Sequence, residues 1–257
     1  MAGVSTRVKS LLLFLLLPGL ALAAPFTAIR DGESFTYKVG FAIFSHAGNI
    51  TLSGQAETTP GQDRIRVTAD TRSRGMVRGL YEFDSTAVAL IDRPTGRLLG
   101  VKETGADPKR PIDNEFQIDY EKRVATFTDR VRTHRSATLP LPGDSDPIDL
   151  ISALVQTRDW DLKPGEKRDL VVQFGRDFYP LSIHAEGYEE VRTPMGKYRT
   201  LVLVPRMDPA KAKGLFKRGG EIKVWIAQDG SKLPVKMQLK LNFGAATLLL
   251  SEYQPPK

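Results

Sequence analysis

Phe35, Tyr37, Val39, Phe41 and Ile43 alternate with small or polar residues, which is the period of a strand buried on one face. Gly48 permits a turn after them. Ile50, Leu52, Ile65, Val67 and Ala69 continue the alternation on either side of Thr59-Pro60-Gly61-Gln62-Asp63, so the spacing predicts a meander. The glycines of Ser73-Arg74-Gly75-Met76-Val77-Arg78-Gly79 predict a bulge or a sharp change of strand direction. Further strands follow at Val88-Ala89-Leu90-Ile91, at residues 97–103, and in a hairpin with Phe116, Ile118 and Tyr120 on one arm and residues 124–128 on the other. The last third reads as hairpins turning at Thr193-Pro194-Met195-Gly196-Lys197 and at Asp229-Gly230, with Val235, Met237, Leu239, Leu241 and Phe243 alternating against Lys236, Gln238, Lys240 and Asn242.

One stretch changes period. Ile148, Ile151, Leu154 and Val155, widened by Leu150, recur at helical spacing and predict a helix over residues 147–158. Asp146 is placed to cap it, Pro147 suits its first position, and Asp149 puts a carboxylate near its positive end. Its apolar face must be buried, and a large sheet apolar on one side needs a cover. The expected fold is therefore mainly β: a single-domain curled antiparallel sheet or incomplete barrel around one central helix. A transmembrane barrel would also alternate, but the capped helix, the prolines and the short, unequal strands do not describe a ring of membrane-spanning strands.

Composition adds a compartment. Arg7 and Lys9 precede an apolar run over residues 11–17, and Ala21-Leu22-Ala23 supplies small residues for processing, which reads as a secretory signal peptide over residues 1–23. An uncleaved anchor is the alternative, although the run is short for a bilayer span. That leaves one β-rich domain over residues 24–257, ending in a short Pro-rich tail and carrying no transmembrane segment. The 257 residues include no cysteine, which excludes disulfides, thiolate metal sites and a lipoprotein's acylated cysteine. An exported, periplasmic protein of a Gram-negative-type bacterium is expected. The formal net charge of +7 falls to about +5 without Arg7 and Lys9, a modestly basic surface that attracts anionic envelope components without selecting one.

Several segments together resemble a known family: Gly32-Glu33-Ser34-Phe35-Thr36-Tyr37-Lys38-Val39, the stretch from Asp146 through Leu154, Thr193-Pro194-Met195-Gly196-Lys197-Tyr198-Arg199-Thr200, and Val224-Trp225-Ile226-Ala227-Gln228-Asp229 with Leu233-Pro234-Val235. In order and spacing they are similar to the bacterial exported family called domain of unknown function 3108. The resemblance implies an envelope-located β-rich fold and carries over no reaction, ligand or catalytic residue. More loosely, the hairpin of Trp225 looks like those closing periplasmic lipoprotein-carrier domains, half-barrels with a helical lid, which implies an apolar cavity by analogy of fold.

Candidate chemistry is sparse. His46, His134 and His184 are scattered and have no metal-ligand spacing, and no nucleophile-elbow pattern or phosphate-cradling glycine loop is present. Asp146 and Asp149 could pass for paired catalytic carboxylates, but capping accounts for both. The segment over residues 208–220 is more suggestive, because Leu215 and Phe216 could close over an acyl chain while Lys211, Lys213, Lys217 and Arg218 meet an anionic head group. Arg72, Arg74 and Arg78 form a second cationic group. A flexible charged loop with Phe216 packed back on the sheet is the plainer reading of the first. Neither stretch has the stacking aromatics of a single-strand nucleic-acid binder. The expectation is a non-enzymatic module that binds a hydrophobic or lipid-like envelope ligand without a cofactor. The alternatives are an envelope protein-interaction scaffold with a filled core, and a hydrolase acting on a wall or surface polymer.

Overall fold

The computed structural model describes residues 25–80, 82–106, 110–212, 216, 218–241 and 244–257. The expected signal segment lies outside them. Strands β1 (Ser34–Phe41), β2 (Phe44–Thr59), β3 (Gln62–Ser73), β4 (Asp84–Asp92), β5 (Leu98–Ala106), β6 (Ile112–Asp119), β7 (Val124–Asp129) and β8 (Ala137–Pro140) form one antiparallel meander, with a short helix α1 (Gly75–Leu80) between β3 and β4. After the connection over residues 141–147 come β9 (Ile148–Asp149), helix α2 (Leu150–Gln156) and a 3-10 turn, Thr157–Asp159, that continues it. A second meander follows: β10 (Lys167–Phe174), β11 (Asp177–Thr193), β12 (Gly196–Arg206), β13 (Glu221–Ala227), β14 (Pro234–Leu241) and β15 (Gly244–Gln254).

All fifteen strands belong to one sheet. β15 returns to pair with β1 in its middle, while β8 and β9 occupy its opposite edges. Every pairing is antiparallel except that of β9 with β10. The order shows why the sheet curls. Laid flat, its edges would stand about 65 Å apart at the ordinary strand spacing, yet the seven-residue connection from β8 to β9 can reach no more than about 30 Å. The expected curled, incomplete barrel is the fold observed.

Alternation decides the concave face. Phe35, Tyr37, Leu52, Ile65, Val67, Ala89 and Ile91 are buried in the main core, which also receives Val155 from α2. A second cluster gathers Trp160, Val172, Leu181, Leu203 and Val224. Trp225 faces the main core, and its indole N–H donates to Glu189 Oε2 at 2.8 Å.

The structure corrects several local expectations. Ile43 leaves the strand for the β1–β2 turn, where it is 91% exposed. Gly48 is no turn: it lies within β2, where a Cβ would stand 2.6 Å from the Arg72 carbonyl oxygen, so glycine permits the close approach of β3. Residues around Gly75 make the helix α1 rather than a bulge. The central helix starts at Leu150, because Asp149 is its cap and accepts hydrogen bonds from the amides of Ile151 and Ser152 at 2.8 and 3.0 Å. Asp146 instead meets Arg97 at 2.8 Å and Arg123 at 3.6 Å, which ties the closing connection to the β4–β5 and β6–β7 turns.

Candidate functional site

Helix α2 does not fill the space it covers. Between one side of the helix and the concave face of the sheet lies a cavity of about 540 Å³. The helix contributes Leu150, Ile151, Ala153 and Leu154, while Val155 points to the main core on the other side. The sheet contributes alternate residues from both meanders, including Leu52, Val101, Phe116, Leu203 and Met237. Leu150 and Phe174 line the cavity yet remain exposed, so both stand where it opens.

Four of its polar groups stand together, while Thr157, Gln173 and Gln238 lie elsewhere on the wall. Thr71, Ser85, Glu103 and Asn114 come from the four adjacent strands β3 to β6, with Thr71 opposite Ser85 and Glu103 opposite Asn114. Asn114 Nδ2 donates to Glu103 Oε2 at 3.4 Å. Asp149 also reaches the cavity, but the two capping amides and the Ser152 hydroxyl already donate to it. Burial, the largest influence on this carboxyl, raises its pKa against those hydrogen bonds. The residues described around the cavity include these two carboxylates and no lysine, arginine or histidine. A cavity that is apolar over most of its wall, with a carboxylate and three further polar groups gathered on β3 to β6, suits an amphipathic molecule.

The far end of the helix is pinned by a buried polar network. Arg158 Nη1 lies 2.9 Å from Glu33 Oε1 and donates to the Ala28 carbonyl at 2.7 Å. The Tyr253 hydroxyl donates to Glu33 Oε1 at 2.8 Å, and the Arg30 amide to Glu33 Oε2 at 3.0 Å. Burial is the largest influence on Glu33 and disfavours its charge. The hydrogen bonds from Arg158 and Tyr253, the guanidinium charge and the Arg30 amide together outweigh it and hold the carboxyl below its ordinary range. The guanidinium also lies over the Phe35 ring, 5.1 Å from its centroid.

The residues singled out by sequence are spread differently. Lys211 and Arg218 are exposed, and Lys213, Leu215 and Lys217 lie outside the described residues. Phe216 is half-buried and packs on the second cluster, whose Leu181, Leu203 and Val224 also line the cavity. Arg74 is exposed, whereas Arg78 binds Asp84 at 2.8 Å and also pairs with Glu82. None of Arg74, Arg78, Lys211 and Arg218 lines the cavity. Asp146 and Asp149 are both engaged in holding the structure. Sequence reasoning passed over Glu103, Asn114, Glu33 and Arg158. For Glu103 a signal existed: it shares the strand phase of Val101, so a carboxylate stands at an inward position.

The family described as Protein of unknown function (DUF3108) matches residues 36–251. A search of curated proteins found no match. Among solved structures, a beta-barrel-like protein of domain of unknown function DUF1849 from Brucella abortus superposes with a TM-score of 0.55 at 7% identity, over 89% of this chain and 100% of that one. A protein from Bacteroides fragilis described as exported, with a YmcC-like fold, gives 0.35 at 13% identity over 90% and 100%. One from Parabacteroides distasonis described as a lipoprotein gives 0.34 at 10% identity over 90% and 99%.

Proposed function

The chain belongs to the DUF3108 family, and on the strength of its cavity we propose that it is a non-enzymatic, periplasmic module that holds a hydrophobic or lipid-like envelope ligand. The observation that carries this reading is the unfilled space of about 540 Å³ between α2 and the sheet. It falls in the range of small-molecule sites, roughly 300–1,000 Å³. A helix serving only to complete a core would leave no such space, because interiors are close-packed. The signal-like residues 1–23 support export.

The acidic interior refines the ligand. A carboxylate or phosphate brought beside Glu103 would face a like charge in a weakly screened space and would find no cation on the wall. A neutral or cationic head group that donates hydrogen bonds fits better, and the aliphatic chain would lie along Leu52, Leu154 and Leu203.

Native mass spectrometry of the protein purified gently from its own envelope tests the reading. The expected result is a reproducible adduct, released on denaturation, that carries an aliphatic portion. A bare mass from such material would overturn it in favour of a scaffold.

A further inference from the structure

The antiparallel order gathers a set of features at one rim of the sheet. β1, β3, β10 and β12 end there, and β2, β4, β11 and β13 begin there. The same rim therefore bears the Ala42-Ile43 turn, the connection carrying α1, the Gly175-Arg176 turn and the connection over residues 207–220. Among the apolar side chains that project from it are Ile43 at 91% exposure, Met76 at 74% and Leu80 at 77%, with Phe174 at 57% beside the cavity mouth. The start of β2, which follows the first turn, lies beside the entry to α1, since the Arg74 amide donates to the Ala47 carbonyl at 2.8 Å.

Cations flank these tips. Arg72, Arg74, Arg176, Lys211 and Arg218 are exposed at this rim. The acids beside them are partnered: Glu82 and Asp84 pair with Arg78, Asp84 also feeling Arg72 and Arg74, Glu221 pairs with Lys223, Asp208 accepts from the Ala210 amide, and Asp177 has a partner of its own, so the cations remain in excess at the exposed tips. The cavity opens at the same place, because Thr71, Ser85, Phe174 and Ile222 line it within two residues of these strand ends. Exposed apolar side chains ringed by cations match the two layers of a membrane surface, with anionic head groups outside and acyl chains beneath.

We infer that this rim is a docking surface for an anionic lipid bilayer, with Ile43, Met76 and Leu80 entering the head-group and acyl boundary and Arg72, Arg74 and Arg176 meeting the phosphates. The cavity mouth then faces the membrane. The inference rests on the rim and not on the cavity's contents, so an empty cavity would leave it standing.

Co-sedimentation with vesicles tests it. The purified protein should pellet with an equal mixture of phosphatidylglycerol and phosphatidylcholine at low salt, and should remain in solution with phosphatidylcholine alone. Substituting Arg72→Ala with Arg74→Ala should weaken binding roughly tenfold or more. Replacing Ile43, Met76 and Leu80 together by serine should abolish it while leaving the melting temperature unchanged, because all three side chains are exposed. Failure of the wild-type protein to pellet, equal pelleting with both vesicles, or a serine variant that binds like wild type would overturn the inference.

Discussion

The ring of Phe116 on β6 meets that of Phe178 on β11 edge to face, with centroids 5.6 Å apart, although their strands lie ten places apart in the sheet order. On a flat sheet the separation would be nearly 50 Å. The contact therefore joins the two meanders directly, beside the cavity and beneath the connection over residues 141–147.

If this pair holds the curl, its two rings should be energetically coupled. Phe116 is buried, so Phe116→Ala should destabilise the fold by about 3–5 kcal/mol, and the half-buried Phe178 by somewhat less. The diagnostic quantity is the double-mutant cycle in denaturant unfolding, where a coupling of about 1 kcal/mol is expected. Additive losses would mean that each ring packs only against its own meander.

How much of this was legible in the sequence depends on the range of the interaction. Alternation and turn chemistry are local, so the hairpins at Thr193-Pro194-Met195-Gly196 and Asp229-Gly230 were readable. Helix α2 was also readable from its apolar stripe, but its cap was not. Aspartate suits a helix cap at either Asp146 or Asp149, and Asp149 takes the role because β9 pairs with β10 up to that position while Arg97 takes Asp146. The long strand β11 was hidden because a bulge between Ala185 and Tyr188 breaks the alternation. Nothing local announces that Glu33, Arg158 and Tyr253, drawn from three distant segments, converge. Nor does strand phase say that a space beside Glu103 stays unfilled.

The two candidate caps give a sharp comparison. Asp149→Ala removes the acceptor of two helix amides at a buried position, and should cost about 1–2 kcal/mol in thermal or denaturant unfolding. Asp146→Ala loses a largely exposed ion pair and should cost about 0–1 kcal/mol. Equal losses would contradict the assignment of the cap.

The Glu33–Arg158 pair predicts a pH dependence. The folded state holds the Glu33 carboxyl below its ordinary value of 4.5, so the unfolded chain binds the proton more readily. The stabilisation is complete above that value and is lost as pH falls through the lower pKa of the folded state. Asp149 works in the opposite sense, because burial raises its pKa above 3.8 and protonation there favours the fold. Comparison with Glu33→Gln separates the two. At neutral pH that variant should lose about 3 kcal/mol through the uncompensated guanidinium. Below pH 4.5 its melting temperature should fall less steeply than that of the wild type. Parallel curves would show that Glu33 titrates alike in both states.

Glu103 offers the most direct test of ligand chemistry, because one substitution changes charge at nearly constant shape. Dodecylamine and dodecanoate share an aliphatic chain and differ in the sign of the head group. If the chain lies along the apolar wall and the head beside Glu103, the wild-type protein should favour dodecylamine by about tenfold, roughly 1.4 kcal/mol. This can be read by displacement of a fluorescent apolar probe. In Glu103→Gln the carboxylate charge is gone while hydrogen bonding to Asn114 remains available, so the two affinities should converge mainly through weaker binding of the amine. Binding of neither compound would count against the carrier reading itself. Tight binding of both, with a ratio that Glu103→Gln leaves unchanged, would retain the carrier and place the head group elsewhere, at the exposed cations of the rim.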